Sequence, residues 1–373
     1  MKVMSTPKSV YLQITNRCNL HCSYCSYFTS ASDVHQDLPL EEWLEFFQEL
    51  NRCAVMTVTL EGGEAFCRED LREIIQGIVC NRMRFSILSN GTLITDDMAA
   101  FLASTHRCNG VQVSIDGSVP AIHDSFRGKG NFVKAMDGVK TLQRHGINVP
   151  VRMTIHRKNV RDLEGVARLL LEEVGLPGFS TNAASFMGLC RHNTEQVQLT
   201  VEERSLAMET LLKLNNKYNG RISAAAGPLA DARAWLGMVK ACKEEQEHMP
   251  QRGYLTSCGG VMNKIAVRAD GVMVPCSQMS HIELGRINQN DLREVWQNHP
   301  ELERLRERRN IPLREFEFCW DCEYINYCAG GCPALAYNIV GEENHPSPDS
   351  CLRQFLKEGG RLPDESLLVT SGI

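Results

Sequence analysis

Ser9-Val10-Tyr11-Leu12-Gln13-Ile14-Thr15-Asn16-Arg17-Cys18-Asn19-Leu20-His21-Cys22-Ser23-Tyr24-Cys25 opens as a short apolar and β-branched run and passes into a loop holding three cysteines. The run from Ser9 to Ile14 reads as a strand, and the cysteines after it are spaced x3 and x2. Structural zinc normally takes four ligands in two pairs. Three thiolates in one loop therefore suggest either a zinc site that borrows a fourth ligand, such as His21, or an iron-sulfur cluster with one iron left uncovered. An uncovered iron can bind a substrate.

Downstream the same rhythm repeats. Strand-like runs at Val55 to Leu60, Arg84 to Leu88, Val111 to Ile115, Val149 to Ile155 and Gly178 to Ala183 alternate with amphipathic stretches. The latter run from Pro39 to Asn51, Asp70 to Asn81, Asp96 to Ser104, Phe132 to His145, Val160 to Val174 and Val201 to Tyr218. Thr200 and Glu203 form a capping-box signature at the head of the last. Six βα units require parallel strands with helical crossovers, in a barrel or a doubly wound open sheet. The unusual residues sit just after strands, and the α/β class expected is a partial (β/α)6 TIM-like barrel followed by a small cysteine-rich domain. The expected divisions are 1–220 for the barrel, 221–250 for a bridge with a helix around Asp231 to Lys243, 251–360 for the metal-stapled domain and 361–373 for a tail. Arg304, Arg306, Arg308 and Arg309 interleave with Glu301, Glu303 and Glu307, as on a solvated helix face.

Composition narrows the function classes. The 373 residues are 43% hydrophobic and 23% charged, enough for a sizeable core. A net charge of -5 gives no basic field for nucleic acid. No window has the length of a membrane span, and the N-terminus lacks the apolar run of a signal peptide, so neither nucleic acid nor membrane is an expected partner. Sixteen cysteines in a chain without an export signal indicate reduced thiolates and metal, and a cytoplasmic location.

Further polar groups fall at strand ends. Glu61-Gly62-Gly63-Glu64 follows the second strand; two glycines let a backbone approach a ligand, and a carboxylate can meet an ammonium group. Ser89-Asn90-Gly91-Thr92 closes the third, and Ser114-Ile115-Asp116-Gly117, with His123, Asp124 and Arg127, follows the fourth. Toward the C-terminus Cys258 and Cys276 are spaced x17, Cys319, Cys322, Cys328 and Cys332 are spaced x2, x5 and x3, and Cys351 lies x18 beyond. Cys53, Cys67, Cys80, Cys108, Cys190 and Cys242 show no ligand spacing and read as small buried hydrophobes. Cys190 also lies near the expected substrate pocket.

Cys18, Cys22 and Cys25, with the aromatic Tyr24 before the third, resemble the signature of the radical S-adenosylmethionine superfamily. Gly62-Gly63-Glu64 is similar to that family's Gly-Gly-Glu motif, with Ala65 in place of the usual Pro, and Val113 to Arg127 to its strand-four segment. The resemblance implies a four-iron, four-sulfur cluster whose open iron is chelated by S-adenosylmethionine. Reductive cleavage then yields a 5'-deoxyadenosyl radical that abstracts hydrogen from substrate. It also implies cofactor contacts from Tyr24, Gly62, Gly63, Glu64, Ser89, Asn90, Ser114, Asp116 and Arg127. The C-terminal cysteines resemble the SPASM extension, which holds two auxiliary clusters. By that resemblance Cys319, Cys322, Cys328 and Cys351 ligate the distal cluster, and Cys258, Cys276 and Cys332 the nearer one, for three 4Fe-4S clusters in all. Some relatives carry a further cysteine where this chain has Lys264, which leaves the nearer cluster a ligand short.

Family members of this kind act mostly on peptides, and the expected activity is oxidative maturation of a ribosomally made precursor peptide, by crosslinking or backbone excision. Ser277 stands against sulfatase maturation, whose enzymes place an acidic base there. Sulfatase maturation or peptide epimerisation is the alternative, and a non-catalytic electron-transfer or scaffold protein the remote one. The expected partners are the precursor, a reductant such as flavodoxin or ferredoxin, and a separate leader-peptide-binding (RRE-like) protein, because the first strand begins near Ser9. No catalytic residue is identified; His156, His192 and Glu195 are unranked candidates for a general base.

Overall fold

The computed structural model describes residues 3–28, 36–246, 251–256 and 258–368. Strand and helix alternate as β1 (Ser9–Thr15), α1 (Leu40–Arg52), β2 (Thr57–Gly62), α2 (Leu71–Cys80), β3 (Arg84–Ser89), α3 (Asp96–Ser104), β4 (Cys108–Ser114), α4 (Pro120–Arg127), α5 (Asn131–Arg144), β5 (Val151–Ile155), α6 (Leu163–Arg168), β6 (Phe179–Ala183), the short α7 (Thr194–Val197) and α8 (Val201–Lys217). The six expected strands are all present. Beyond them come β7 (Ile222–Ala224), α9 (Pro228–Lys243), α10 (Gly259–Asn263), β8 (Lys264–Val267), β9 (Val272–Val274), β10 (Gly285–Arg286), α11 (Leu292–Asn298), α12 (Pro300–Glu307), α13 (Pro333–Val340) and α14 (Leu352–Lys357).

The chain packs as two compact units. The first comprises residues 1–115, 127–150 and 257–306. Its strands β1, β2, β3 and β4 pair in parallel and in sequence order, with Gln13 opposite Glu61. β8 joins the other edge of β1 in parallel, Ser9 opposite Lys264, and β9 and β10 continue antiparallel. Thus residues 258–306, expected in a separate cysteine-rich domain, pack with β1 to β4. Val10, Leu12, Ile14, Val58 and Leu60 are wholly buried and alternate with Tyr11, Gln13, Thr59 and Glu61 on the opposite face. Trp43, Phe46 and Phe47 of α1 and Ile74 and Ile75 of α2 are likewise buried.

The second unit comprises residues 116–126, 151–256 and 307–373. Here β5, β6 and β7 pair in parallel. β7 is an added strand that the sequence reading lacks; three residues carry too little pattern to register. The capping box is present, with Thr200 Oγ1 accepting from the Glu203 amide and the Glu203 carboxylate accepting from the Thr200 amide. The helix expected from Val160 to Val174 is instead a 3-10 turn, the short α6 and a wider π turn over Leu169–Glu173. Asp162 Oδ2 and Oδ1 accept from the Ser118 amide and hydroxyl, both at 2.6 Å, so its side chain binds another segment at the helix entry.

The arginine cluster departs from a solvated face. Arg304 pairs with Glu301 at the surface, but Arg306 is buried, stacked 4.5 Å over Trp296 and donating to the Val261 carbonyl at 3.0 Å. Arg308, in the second unit, is wholly buried and donates to the carbonyls of Thr256, Gly331, Glu343 and His345. A planar guanidinium with five donors satisfies several carbonyls at once, which alternation of charge in the sequence does not reveal.

Candidate active site

The three-cysteine loop leaves β1 from a fixed root. Asp37 accepts from the Thr15 hydroxyl at 2.6 Å and from the Asn16 amide at 2.7 Å. Arg68, paired with Asp70, donates to the carbonyls of Ile14 at 2.6 Å and Leu38 at 2.7 Å. Beyond the sheet, Gly63 N–H reaches Thr15 O at 2.9 Å and Glu64 N–H reaches Arg17 O at 2.8 Å. A Cβ on Gly62 would stand 2.3 Å from Thr15 O, and one on Gly63 2.2 Å from Arg17 O. The glycines thus admit the backbone that carries Cys18, whereas the sequence suggested that they admit a ligand.

Within the loop the Leu20 amide donates to Cys18 Sγ at 3.4 Å, and the Cys25 amide to Cys22 O at 3.1 Å. Burial pushes the Cys18 thiol up to about 12, and the charges of Glu64, Cys22 and Cys25 add to it.

Glu64 is 1% exposed. Its Oε1 accepts from the Ser89 hydroxyl at 2.9 Å and the Phe66 amide at 3.2 Å, and its Oε2 from the Asn90 amide at 2.7 Å. Burial raises its pKa, while these bonds and the charge of Arg127 oppose the rise. A carboxylate has about four acceptor sites; three are filled, and one remains for an ammonium group. The Arg127 guanidinium lies 5.6 Å from the Tyr24 ring centre. The chemistry suits the amino and carboxylate ends of an amino-acid cofactor. Asn90 also donates to Asn19 Oδ1 at 2.9 Å, and Asn19 to Thr92 Oγ1 at 2.8 Å, tying the cysteine loop to the end of β3.

Tyr24, Gly62, Gly63, Glu64, Ser89, Asn90 and Arg127 are thereby brought around the first three cysteines. Ser114 ends β4 in the same unit. Asp116 belongs to the second unit, where it is buried; its Oδ1 accepts from the Thr154 amide at 2.8 Å and its carbonyl from Asn159 at 2.8 Å. Of the unranked bases, His156 is wholly buried beside Phe126, with ring centres 4.2 Å apart. Asn19, Asp37 and Arg68 escaped the sequence reading, although Asn19 lies inside the loop itself.

In the second unit Cys319, Cys322, Cys328 and Cys351 line one cavity with Phe318 and Arg353. Burial pushes the Cys319 thiol up to about 12, reinforced by Cys328, Cys351 and Cys322. Amides of Gly330 and Gln354 donate to Cys328 Sγ and Cys351 Sγ at 3.3 and 3.4 Å. Four cysteines thus border one cavity, the number that a fully ligated four-iron cluster takes. Cys332 caps α13 in this unit. Cys258, in the first, caps α10 and accepts from the Gly260 amide at 3.3 Å, and Cys276 follows β9. None of the sixteen cysteines is in a disulfide. Of the six outside the ligand sets only Cys53 and Cys190 are buried, and Cys80 is exposed, which corrects the reading of all six as buried hydrophobes.

One acidic group without an expected role stands between the cysteine loops of the first unit. Ser277, directly after Cys276, donates its hydroxyl to Glu61 Oε1. Burial pushes the Glu61 carboxyl up to about 7, opposed by the Ser277 bond and the Lys264 charge.

Among the described residues no helix is long and apolar enough to cross a membrane. The family profile for the Radical SAM superfamily matches residues 12–170, and that for the SPASM iron-sulfur cluster-binding domain residues 258–323. An AdoMet-dependent heme synthase of Methanosarcina barkeri is 24% identical over 353 residues, 92% of this chain and 96% of the relative. A PqqA peptide cyclase of Ruegeria pomeroyi is 23% identical over 346 residues, 92% of this chain and 86% of the relative. The structure of Streptococcus suis SuiB bound to S-adenosylmethionine superposes with a TM-score of 0.70 and 15% identity, covering 94% of this chain and 78% of that one. This likeness shows the fold, the α/β partial-barrel class with a C-terminal iron-sulfur domain.

Proposed function

Since the chain belongs to the radical S-adenosylmethionine superfamily and carries a SPASM iron-sulfur domain, we propose that it matures a ribosomally made precursor peptide by removing hydrogen from an amino-acid carbon. The observation that carries this reading is the alignment with a peptide cyclase over 92% of the chain. Cys18, Cys22 and Cys25 hold the first cluster; Glu64 receives the cofactor's ammonium group and Arg127 its carboxylate. Tyr24, Gly62 and Gly63 shape the loop, Ser89 and Asn90 orient Glu64, and Ser114 completes the contacts. When bound, the cofactor and its cluster supply the carbon radical that takes the substrate hydrogen.

By the same reading there are three 4Fe-4S clusters, the distal one held by Cys319, Cys322, Cys328 and Cys351, with Cys258 and Cys276 as ligands of the nearer one. The proposed functional divisions, drawn from the sequence, are 1–220 for the radical domain, 221–250 for a bridge, 251–360 for the auxiliary clusters and 361–373 for a tail. A reductant of the flavodoxin or ferredoxin type supplies electrons. A separate leader-binding protein supplies affinity remote from the reacting carbon.

A second reading is favoured by the similar heme synthase, which points to an iron porphyrin as substrate. Anaerobic enzyme with S-adenosylmethionine and reductant is offered candidate precursor peptides, including any short one found encoded beside its gene, or an iron porphyrin. Loss of a pair of hydrogen atoms from the peptide, with 5'-deoxyadenosine formed, is the expected result. Change of the porphyrin alone would replace it with the second reading.

A further inference from the structure

Glu61 lies at the C-terminal end of β2, the end at which parallel βα folds place their chemistry. Strand alternation turns it away from the wholly buried face of Val58 and Leu60 and onto the polar face it shares with Tyr11 and Gln13. On its C-terminal side Gly62, Gly63 and Glu64 carry the Cys18 loop through the two backbone bonds to Thr15 and Arg17. Its own carboxylate holds Ser277, next to Cys276. One side chain therefore touches the second metal-binding turn while its neighbours in sequence touch the first. Neither the cofactor contacts nor the cysteine ligand sets use it.

We propose that Glu61 is the proton acceptor for substrate in this site, with Ser277 and Lys264 as positioning residues. The proposal rests on the reading that substrate binds at these strand ends. The step is a proton transfer: an N–H, O–H or activated C–H bond of substrate breaks, and its electron pair stays on the substrate atom. The proton forms an O–H bond on Glu61, which becomes neutral and later releases it to water. No oxidant is consumed.

The surroundings suit such a group. Ser277 from the Cys276 turn donates to the ionised form, and Lys264 of β8 favours it by charge. Lys264 is held in place by the Tyr11 ring of β1, 4.9 Å from its Nζ. Tyr27 of the cysteine loop is within electrostatic reach of this carboxylate, and its hydroxyl donates to Asn16 Oδ1. Burial opposes ionisation, so the balance falls at about 7, where a carboxyl both accepts and releases protons near neutrality.

The first test is infrared titration of the holoenzyme's carboxylic-acid stretch. The expected result is a band with a midpoint near 7, absent in E61Q and moved to higher pH in S277A and in K264M. A band that survives E61Q, or no titration near neutrality, overturns the assignment. The second is the amount of modified peptide formed per 5'-deoxyadenosine, using the peptide that the substrate test above identifies. The expected fall in E61Q is roughly 100-fold, as for loss of a general base, with partial recovery in E61D; a ratio equal to wild type overturns it. If E61Q loses iron, S277A and E61D carry the comparison. Wild-type enzyme that forms no 5'-deoxyadenosine with peptide or porphyrin sinks the proposed function instead, whereas an infrared midpoint far from neutrality overturns the role of Glu61 independently of it.

Discussion

Gly63 has neither rotamer nor spare volume with which to absorb a change. A methyl group there meets the Arg17 carbonyl, a backbone atom held by its own hydrogen bond. Gly63→Ala therefore displaces the Cys18 loop and costs about 1–3 kcal/mol, the range for overpacking. The measurable outcome is loss of the first cluster's electron paramagnetic resonance signal while the distal cluster's remains; an undisturbed signal would contradict the geometry. Glu61 yields a prediction with a definite sign. Its folded pKa is raised from 4.5 to about 7, so the favourable contribution of its protonated form is present below about pH 4.5 and is lost as pH rises through 7. E61Q, neutral throughout, is expected to gain on the wild type between pH 5 and 8 by up to about 3 kcal/mol. Denaturation midpoints at the two pH values check this, and a pH-independent gap would refute it.

The capping box before α8 was legible because its parts lie three residues apart and need no tertiary contact. Thr200→Ala leaves the Glu203 amide without its side-chain acceptor and is expected to cost about 1 kcal/mol. Equilibrium denaturation measures it, and a cost near zero would mean that water replaces the bond fully. The six strands were legible for a related reason, since burial alternates in register with the pleat in segments such as Val58 to Glu61. Less was legible where a distant partner decides. Ser118 engages Asp162 at the entry to α6, and the carbonyls around Arg308 draw it inside, yet nothing near either residue announces it. The contact of Glu61 with Ser277 was hidden likewise, because the two stand 216 residues apart.

At the scale of the whole molecule, Cys18, Cys22 and Cys25 lie in the first compact unit and Cys319, Cys322, Cys328 and Cys351 in the second, so the two sets are separable by mutation. The three clusters proposed above predict about twelve iron atoms per fully loaded chain. Replacing Cys18, Cys22 and Cys25 together by Ala is expected to remove about four and abolish 5'-deoxyadenosine formation, leaving the cavity of Cys319, Cys322, Cys328 and Cys351 loaded. Iron analysis of that variant and of the converse one checks the count; stoichiometric zinc in place of iron would refute it. The pairing of β1 with β8 also governs how the chain emerges from the ribosome. Ser9 and Lys264 face each other across 264 − 9 = 255 positions. At a synthesis rate of roughly 5–20 residues per second, β1 waits about 13–50 s for its second neighbour. During translation the strand that leads into the oxygen-sensitive thiols is thus a raw sheet edge, open to adventitious pairing, and shielding by a chaperone or early delivery of iron would matter most in that interval.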